Sequence, residues 1–192
     1  MEQNVSMKIN ELPSPTWNWL KVNETPIKWS NKIEPCEIAA EGDAVATETE
    51  QLSDIETGAG READAIFATE NTAKYQILAD NAGQDKTVRL HISGKKDAHT
   101  AGCVEIVAKE NSTLTVVMDS RVAPDATKEE DSTAEASLAV RVRMKVESGA
   151  SVRLVQVQMP QEHETLLSDI GGNLIGEGAK AVSYTHLTLP TT

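Results

Sequence analysis

The sequence predicts a mainly β protein in which short strands stack as a parallel β-solenoid. The first observation is a strand–break–strand unit at Cys103–Met118 that returns at Val140–Met159 and, in shorter form, at Ile170–Val182. The second is the alternation of apolar and polar residues, which is the period of a half-buried strand. The third is composition: aromatic residues are only 3% of the chain, so the core must consist of aliphatic layers.

The first 85 residues are expected to form an N-terminal arm followed by an acidic segment. Residues 1–35 are polar and interrupted by prolines, which predicts a short helical turn after Pro15 and then an extended arm. The arm carries Trp17, Trp19 and Trp29. These tryptophans either dock on another surface or form a local hydrophobic staple.

The acidic segment, residues 37–65, is expected to be a linker with a frayed helix, because Ala and Glu favour helix while Gly, Thr and Asp interrupt it. Residues 65–79 predict a short helix that leads into a strand at Tyr75–Leu78. Gly58–Ala63, GAGREA, matches a loose phosphate-loop pattern, but the polar stretch before it is not the buried strand that such a loop requires, and a flexible turn is the preferred interpretation.

Residues 86–181 are expected to form the β-helical core. The charged stretch Pro124–Ala136 has the composition of a surface loop. Alternation assigns Ala139, Arg141, Arg143 and Lys145 to the outer face of their strand. The residues predicted to point inward are Val88, Leu90, Ile92, Val104, Ile106, Ala108, Leu114, Val116, Met118, Leu138, Val140, Val142, Met144, Val146, Val152, Leu154 and Val157.

The breaks between strands superpose. Ser112, Ala150 and Ala179 come into register at intervals of 38 (150 − 112) and 29 (179 − 150) residues, each preceded by Asn or Gly. Ile106, Met144 and Leu174 are expected to align as well. Repeats of this size indicate stacked units, and Asn or Gly before a small residue fits a corner with positive φ. A twisted antiparallel sandwich remains the alternative architecture.

Several stretches resemble the SufB/SufD family of iron–sulfur cluster assembly proteins, most closely its SufD members. They are PTWNWLKVNE from Pro15, GREAD at Gly60–Asp64, VEIVAKENSTLTVVMD from Val104, VRMKVESGASVRLVQVQ from Val142, and LLSDIGGNLIGEGAKA from Leu166. The resemblance touches most of residues 12–181. It implies a right-handed parallel β-helix and a non-catalytic scaffold subunit that pairs with a SufB-like paralogue and a SufC-like ATPase.

The resemblance also implies that the chain is an N-terminal fragment. Family members continue through further coils, the segment that docks the ATPase and the residues that handle the cluster, so no catalytic, cofactor-binding or metal residue is assigned here. The iron–sulfur cluster is expected to be handled by the full-length complex. Residues 182–192, VSYTHLTLPTT, read as a translated sequencing adapter, so Tyr184 and His186 are given no functional weight.

Composition excludes several classes of partner. The formal net charge is −12, which disfavours nucleic acids and anionic membranes. No secretory signal or membrane-spanning run is present in the sequence, and the two cysteines do not make a disulfide framework, so the expected compartment is the cytoplasm.

Few residues are candidates for chemistry. His91, His99 and Cys103 are the one potential metal cluster, but Cys103 also fits a small buried hydrophobic position. Cys36 and His163 are expected to lie in an exposed arm and on a solvated turn. Arg141, Arg143, Lys145 and Arg153 form a basic stripe for an acidic partner, or balance neighbouring carboxylates. The alternative function is a β-helical enzyme that acts on acidic polysaccharides.

Overall fold

The structure is a computed structural model that describes residues 4–9, 25–43, 51–68, 70, 72–80, 82–123, 136–161 and 163–187. The expected helical turn after Pro15, together with Trp17 and Trp19, and nearly all of the charged loop at 124–136 lie outside these residues.

Strands dominate the described chain. They are β1 (Asn4–Ile9), β2 (Thr25–Ser30), β3 (Glu34–Pro35), β4 (Glu37–Gly42), β5 (Ala73–Ala79), β6 (Asp85–Ser93), β7 (His99–Ala108), β8 (Thr113–Arg121), β9 (Ala136–Val146), β10 (Ser151–Gln158), β11 (Glu164–Leu174) and β12 (Lys180–Leu187). A 3₁₀ turn, Arg61–Ala63, runs directly into the single-turn helix α1, Asp64–Phe67. The expected helix in the acidic segment is wrong for residues 37–42, which form β4.

From β5 onward, consecutive strands alternate between two sheets. The even sheet has the order β12-β10-β8-β6-β4, and the odd sheet has the order β11-β9-β7-β3, with β5 also paired to β7. Every pair among β5 to β12 is parallel, whereas β4 joins β6 antiparallel and β1 pairs β2 antiparallel. The prediction of a mainly β protein with parallel strands is therefore confirmed, and the antiparallel sandwich is wrong.

The corners align as the repeat predicted. Ser151 pairs with both Thr113 and Lys180, so Ser112, Ala150 and Ala179 are in register. The residues before them, Asn111, Gly149 and Gly178, have φ of 59°, 66° and 75°. Main-chain hydrogen bonds connect successive corners, from Asn111 N to Ser148 O at 3.0 Å and from Gly149 N to Glu177 O at 2.9 Å.

Two details of the repeat differ from expectation. Gly83, with φ of 78°, occupies the same corner one unit earlier, because Asp85 pairs with Thr113. Leu174 pairs with Val146 and not with Met144, whose neighbour is Gly172. Two offsets of one residue each explain the difference. Met144 stands six positions before Ala150 but Leu174 only five before Ala179, and the corner between β11 and β12 holds one more residue than the corner between β9 and β10.

The main core lies between the two sheets. Almost all residues predicted to point inward are buried there, among them Leu90, Ile106 and Leu154 at 0% exposure. Val157 is the exception, because strict alternation through β10 turns Gln156 inward instead, at 2% exposure. The Gln156 side chain is bonded to Ser168 Oγ at 2.6 Å and Thr185 Oγ1 at 3.2 Å.

The outer face of the odd sheet is covered by residues 51–67, called the strap below. Ile66 and Phe67 of α1 are buried with Trp29, Ala101 and Ala139 in a second cluster, and Leu52 and Ile55 pack on Val107 in a third. The other buried residues of the second cluster are Met7, Ile9, Ile33, Ala59, Ala63, Cys103 and Leu167. Residues before 86, namely β3, β4, β5 and the strap, thus contribute to the same sheets and cores as the residues after it.

The strand pattern continues beyond residue 181. Strand β12 runs to Leu187 in parallel register with β10, whereas the pattern was expected to stop at Val182. Large apolar side chains near β11 and β12 are exposed: Leu174, Ile175, Val182, Tyr184 and Leu187. The adapter origin of residues 182–192 stays a prediction. No helix within the described parts of the chain is long and apolar enough to cross a membrane.

Candidate functional site

The most elaborate polar arrangement surrounds Arg141, beneath the strap. Its Nε donates to Asp169 Oδ2 at 2.7 Å, and its Nη1 lies 2.7 Å from Asp64 Oδ1. The guanidinium carbon stands 4.2 Å from the centroid of the Phe67 ring. Arg141 is 2% exposed, and a guanidinium so far from water requires such partners. Its Nη2 is buried and has no hydrogen-bond partner among the described residues.

Asp169 joins the strap to strand β11. Besides Arg141, its carboxylate accepts hydrogen bonds from Thr57 Oγ1 at 2.7 Å and from the Ala59 main-chain N–H at 2.8 Å. Close by, Gly58 N donates to the carbonyl of Ile170 at 3.1 Å. The buried carboxylate is therefore satisfied by one cation and two neutral donors, which suits an anchoring role.

A cleft of about 320 Å³ opens between the strap and β9. Carboxylates of Asp54, Glu56 and Asp64 line it together with the guanidinium groups of Arg61 and Arg143. Arg143 is held there because its Nε donates to the Ile55 carbonyl at 3.1 Å. The remaining lining residues are Ser53, Ile55, Thr57 and Gly60. The cleft is polar and carries both signs of charge.

The phosphate-loop pattern Gly58–Ala63 falls at the end of this cleft. Two of its amides, those of Gly58 and Ala59, are already bonded to β11, and the Ala63 amide donates to the Gly60 carbonyl at 3.2 Å. Residues 51–57, directly before the loop, form no strand, and the helix after it has a single turn. A phosphate loop needs free amides at the start of a longer helix, so the turn is structural.

The proposed metal cluster is not assembled. His91 belongs to the even sheet, where its ring lies 3.8 Å from Glu41 Oε2 and 3.7 Å from Asp119 Oδ2. His99 and Cys103 lie on β7, four residues and therefore about 13 Å apart along the strand. Among the described residues, no group of three or more His, Cys, Asp or Glu is arranged to hold a metal ion.

Both cysteines are free and buried. Cys36 points into the core between the sheets, so its expected exposure is wrong, and burial raises the pKa of its thiol to about 12. Cys103 lies in the second cluster under the strap, which agrees with the small-hydrophobe interpretation. Burial also raises the pKa of Cys103, while Arg141 and Arg143 act in the opposite direction.

His99 contacts the Ser137 hydroxyl through Nδ1 and packs against Trp29, with ring centroids 5.7 Å apart. Ser137 is 2% exposed. A hydroxyl nucleophile has to meet its substrate, so a buried serine in this position is structural. His163 is exposed at a turn with φ of 65°, as the sequence predicted for a solvated position.

The predicted basic stripe does not form one surface. Arg141 is buried under the strap, Arg143 is half-buried against it, and Arg153 is exposed on the even sheet. The alternation that assigned Arg141 to the outer face was right, but a second layer covers that face. No sequence signal marked Asp169 or Gln156, although a lone Asp at a core-adjacent strand position and a Gln in an apolar run are weak indications of buried partners.

Comparison with known proteins gives no identification: no family model, curated protein or solved structure matches this chain.

Proposed function

We propose that this chain is a non-catalytic scaffold subunit of the SUF type, SufD-like, which acts with a SufB-like subunit and a SufC-like ATPase in iron–sulfur cluster assembly and transfer. The proposal rests on the resemblance of five sequence stretches. The observation that carries it is that two of these stretches meet at one side chain: Asp64 of GREAD and Asp169 of LLSDIGG both bind Arg141, the residue directly before VRMKVESGA.

The proposed fold is a right-handed parallel β-helix. Strands that alternate between two parallel sheets, with positive-φ corners stacked through main-chain hydrogen bonds, are what successive coils of such a helix produce. A stack of this kind offers long, regular faces and strand edges on which the partners of a scaffold subunit can dock.

Co-purification is the direct test. The natural protein that contains this sequence should co-purify with a SufB-like and a SufC-like protein expressed with it, and its loss should slow cluster delivery to an apo-ferredoxin. The absence of any association, together with unchanged cluster delivery, would refute the proposal. As a matched control, Arg153→Ala on the exposed face of β10 should leave the fold intact, because that side chain is solvated.

The second candidate, a β-helical enzyme acting on acidic polysaccharides, is supported by the mixed charges of the cleft. Arg61 and Arg143 would bind substrate carboxylates, and Asp54 or Glu56 would act on the glycosidic bond or an adjacent proton. Incubation with polygalacturonate and alginate, followed by a reducing-end assay, tests it. Product formation that disappears in Arg143→Ala would favour the enzyme over the scaffold.

A further inference from the structure

The strands β5 to β12 form a stack whose two ends differ in how the inward apolar side chains are covered. At the first end, Ile77 and Ala79 of β5 are 1% and 0% exposed. At the last end, Leu174 of β11 is 54% exposed, although its register partner Val146 is completely buried. Leu187 of β12, which the register on β10 also turns inward, is 52% exposed. The stack is therefore closed at β5 and open at β11 and β12.

The open end also presents two strand edges. Strands β11 and β12 are the last members of the odd and the even sheet, and within the described parts of the chain no strand pairs with their outer edges. Proteins commonly protect such edges with charges, prolines or bulges. Residues 181–187 of β12 contain no Asp, Glu, Lys, Arg or Pro, and the register on β10 runs through all eight residues of β12 without a bulge. At the opposite end of the even sheet, the edge strand β4 carries Glu37 and Glu41. The edge of β12 is therefore suited to pair with a further strand.

The exposed large apolar side chains of the described residues all lie at this end. Five half-exposed side chains of this size present roughly 400 Å² of apolar surface. A contact between two copies buries this patch twice, roughly 800 Å², and adds the main chain of both edges, which brings it close to the about 1,200 Å² at which specific interfaces begin. The five are Leu174, Ile175, Val182, Tyr184 and Leu187, between 46% and 55% exposed.

We propose that a second copy of this chain closes the open end, with β12 of the two copies paired antiparallel about a two-fold axis through Ser183. Because Ser183 then lies opposite itself, inward and outward side chains keep their faces, and the even sheet continues across the contact. Val182 of each copy lies opposite Tyr184 of the other, and a β-branched side chain beside an aromatic one is a favourable cross-strand pair.

The same register covers the remaining exposed side chains. Leu187 of one copy lies opposite Ala179 of the other, in the corner where Leu174 and Ile175 are exposed. Both copies use the same patch, so the assembly stops at two, because the end of the stack at β5 is already covered. This dimer does not depend on the scaffold function, and it requires residues 182–187 whatever their origin.

Sedimentation velocity over protein concentrations from about 5 to 200 µM, the range in which small interfaces dissociate, tests the association. We expect a monomer that converts into a dimer as the concentration rises. Val182→Lys should raise the dissociation constant at least about tenfold, because it places a lysine on the edge beside Tyr184 of the other copy. Val117→Lys, the same substitution on the same face of the sheet, should leave it unchanged, because β8 lies two strands from the edge. A monomer at every concentration, or growth beyond the dimer, would overturn the proposal.

Cross-linking tests the register of the two strands. Ser183→Cys should form a disulfide between two copies under mild oxidation, because directly opposed residues of antiparallel strands have Cα atoms about 4.5–5.5 Å apart, a distance that a disulfide spans. Thr115→Cys on β8 should stay unlinked, and so should the native Cys36 and Cys103, which are buried. If Val182→Lys does not fold, this cross-link decides. A dimer that Ser183→Cys does not link would overturn the proposed pairing.

Discussion

Arg141 and Asp169 are direct register partners on β9 and β11, with 2.7 Å between Nε and Oδ2 and with side chains 2% and 0% exposed. The pair lies at the point where the strap crosses the odd sheet, and Asp169 also holds Thr57 and the Ala59 amide. One buried pair therefore ties together two neighbouring strands and a segment more than a hundred residues earlier in the chain, since Thr57 and Asp169 are 112 positions apart.

Removing one member of this pair should destabilise the protein strongly. Asp169→Ala leaves the Arg141 guanidinium buried without its main counter-charge, and we expect a loss of about 3–5 kcal/mol in the free energy of unfolding. Urea denaturation followed by circular dichroism measures it. The double variant Arg141→Met with Asp169→Leu should recover only part of the loss, because it removes the buried charge but leaves the Thr57 hydroxyl and the Ala59 amide without their acceptor.

Arg153→Ala serves as the matched control for charge removal, because Arg153 is exposed on β10 and should change the free energy of unfolding by less than about 0.5 kcal/mol. A loss below about 1 kcal/mol for Asp169→Ala would show that the ion pair does not anchor the strap.

The sequence predicts correctly which face of β9 carries Arg141, but it does not predict which residues surround that side chain. A period of two residues states which side chains share a face of a strand, and it does so correctly for Leu138 to Val146. It contains no information on what covers that face. The cover comes from the distant strap, whose composition of Ala, Glu, Gly and Asp resembles that of a solvated linker. Only its sparse apolar residues, Leu52, Ile55, Ile66 and Phe67, indicated that it could pack.

A side chain at Gly149 should lower the free energy of unfolding. Its φ is 66°, and a Cβ would clash with Oδ1 of Asn111 in the corner of the previous unit. Gly149→Ala combines a strained backbone with this steric conflict, so we expect a loss of about 1–3 kcal/mol in the free energy of unfolding. Thermal and urea denaturation measure it.

Gly58→Ala is the control for this corner. The same added methyl would meet nothing closer than the Ile170 carbonyl oxygen at 3.7 Å, which is an ordinary contact, and its φ is not positive. We expect a change within about 0.5 kcal/mol. Equal effects of the two substitutions would argue against a strained, stacked corner at Gly149.

The corners between strands could be predicted where the sequence before them shows the clear alternation of a strand. Asn111 and Gly149 follow clear alternation, and their positive φ agrees with the residue types chosen there. Gly83 was missed because the strand before it, β5, contains Lys74 and Gln76 among its apolar residues and lies in a polar part of the sequence. The register of Leu174 was wrong partly because the corner between β11 and β12 has gained a residue without any change in the apolar pattern, and partly because Leu174 is one residue nearer to its corner than Met144 is.

Cys36, directly after β3, lies so close to Gly102 on β7 that substitutions at these two positions should have coupled effects on stability. A Cβ added at Gly102 would collide with Sγ of Cys36, and no positive φ adds strain there. We expect Gly102→Ala to destabilise the protein by about 1–3 kcal/mol, as overpacking does. In a Cys36→Ala background the same substitution should cost less than about 1 kcal/mol, because the sulfur that it meets is gone. A double-mutant cycle measured by urea denaturation gives the interaction.

Additive effects of Gly102→Ala and Cys36→Ala would contradict the contact, because side chains that do not touch do not couple. Cys36→Ala alone is the reference variant, and it should lose about 1 kcal/mol as a small buried side chain is truncated.

Alkaline pH should destabilise the fold through Cys36. Burial raises its thiol pKa from 9.0 to about 12 in the folded state, so between these values the unfolded chain releases a proton that the folded chain retains. The contribution of the Cys36 thiol to the free energy of unfolding is fully present below pH 9.0 and is lost as the pH rises toward about 12. The expected slope from Cys36 is up to about 1.4 kcal/mol per pH unit. Burial raises the pKa of Cys103 and Tyr75 as well, and both act in the same direction.

Urea denaturation at a series of pH values from 8 to 11 separates the contributions, because each substitution removes one titrating group. Cys36→Ala should flatten the decline in the free energy of unfolding, and Cys36→Ala with Cys103→Ala should flatten it further and leave the part that belongs to Tyr75. A decline of the same slope in the wild type and in the double variant would mean that neither thiol is held in its protonated form by burial. In that case Cys36 would have to be reached by water in the folded chain, in conflict with its 5% exposure between the two sheets.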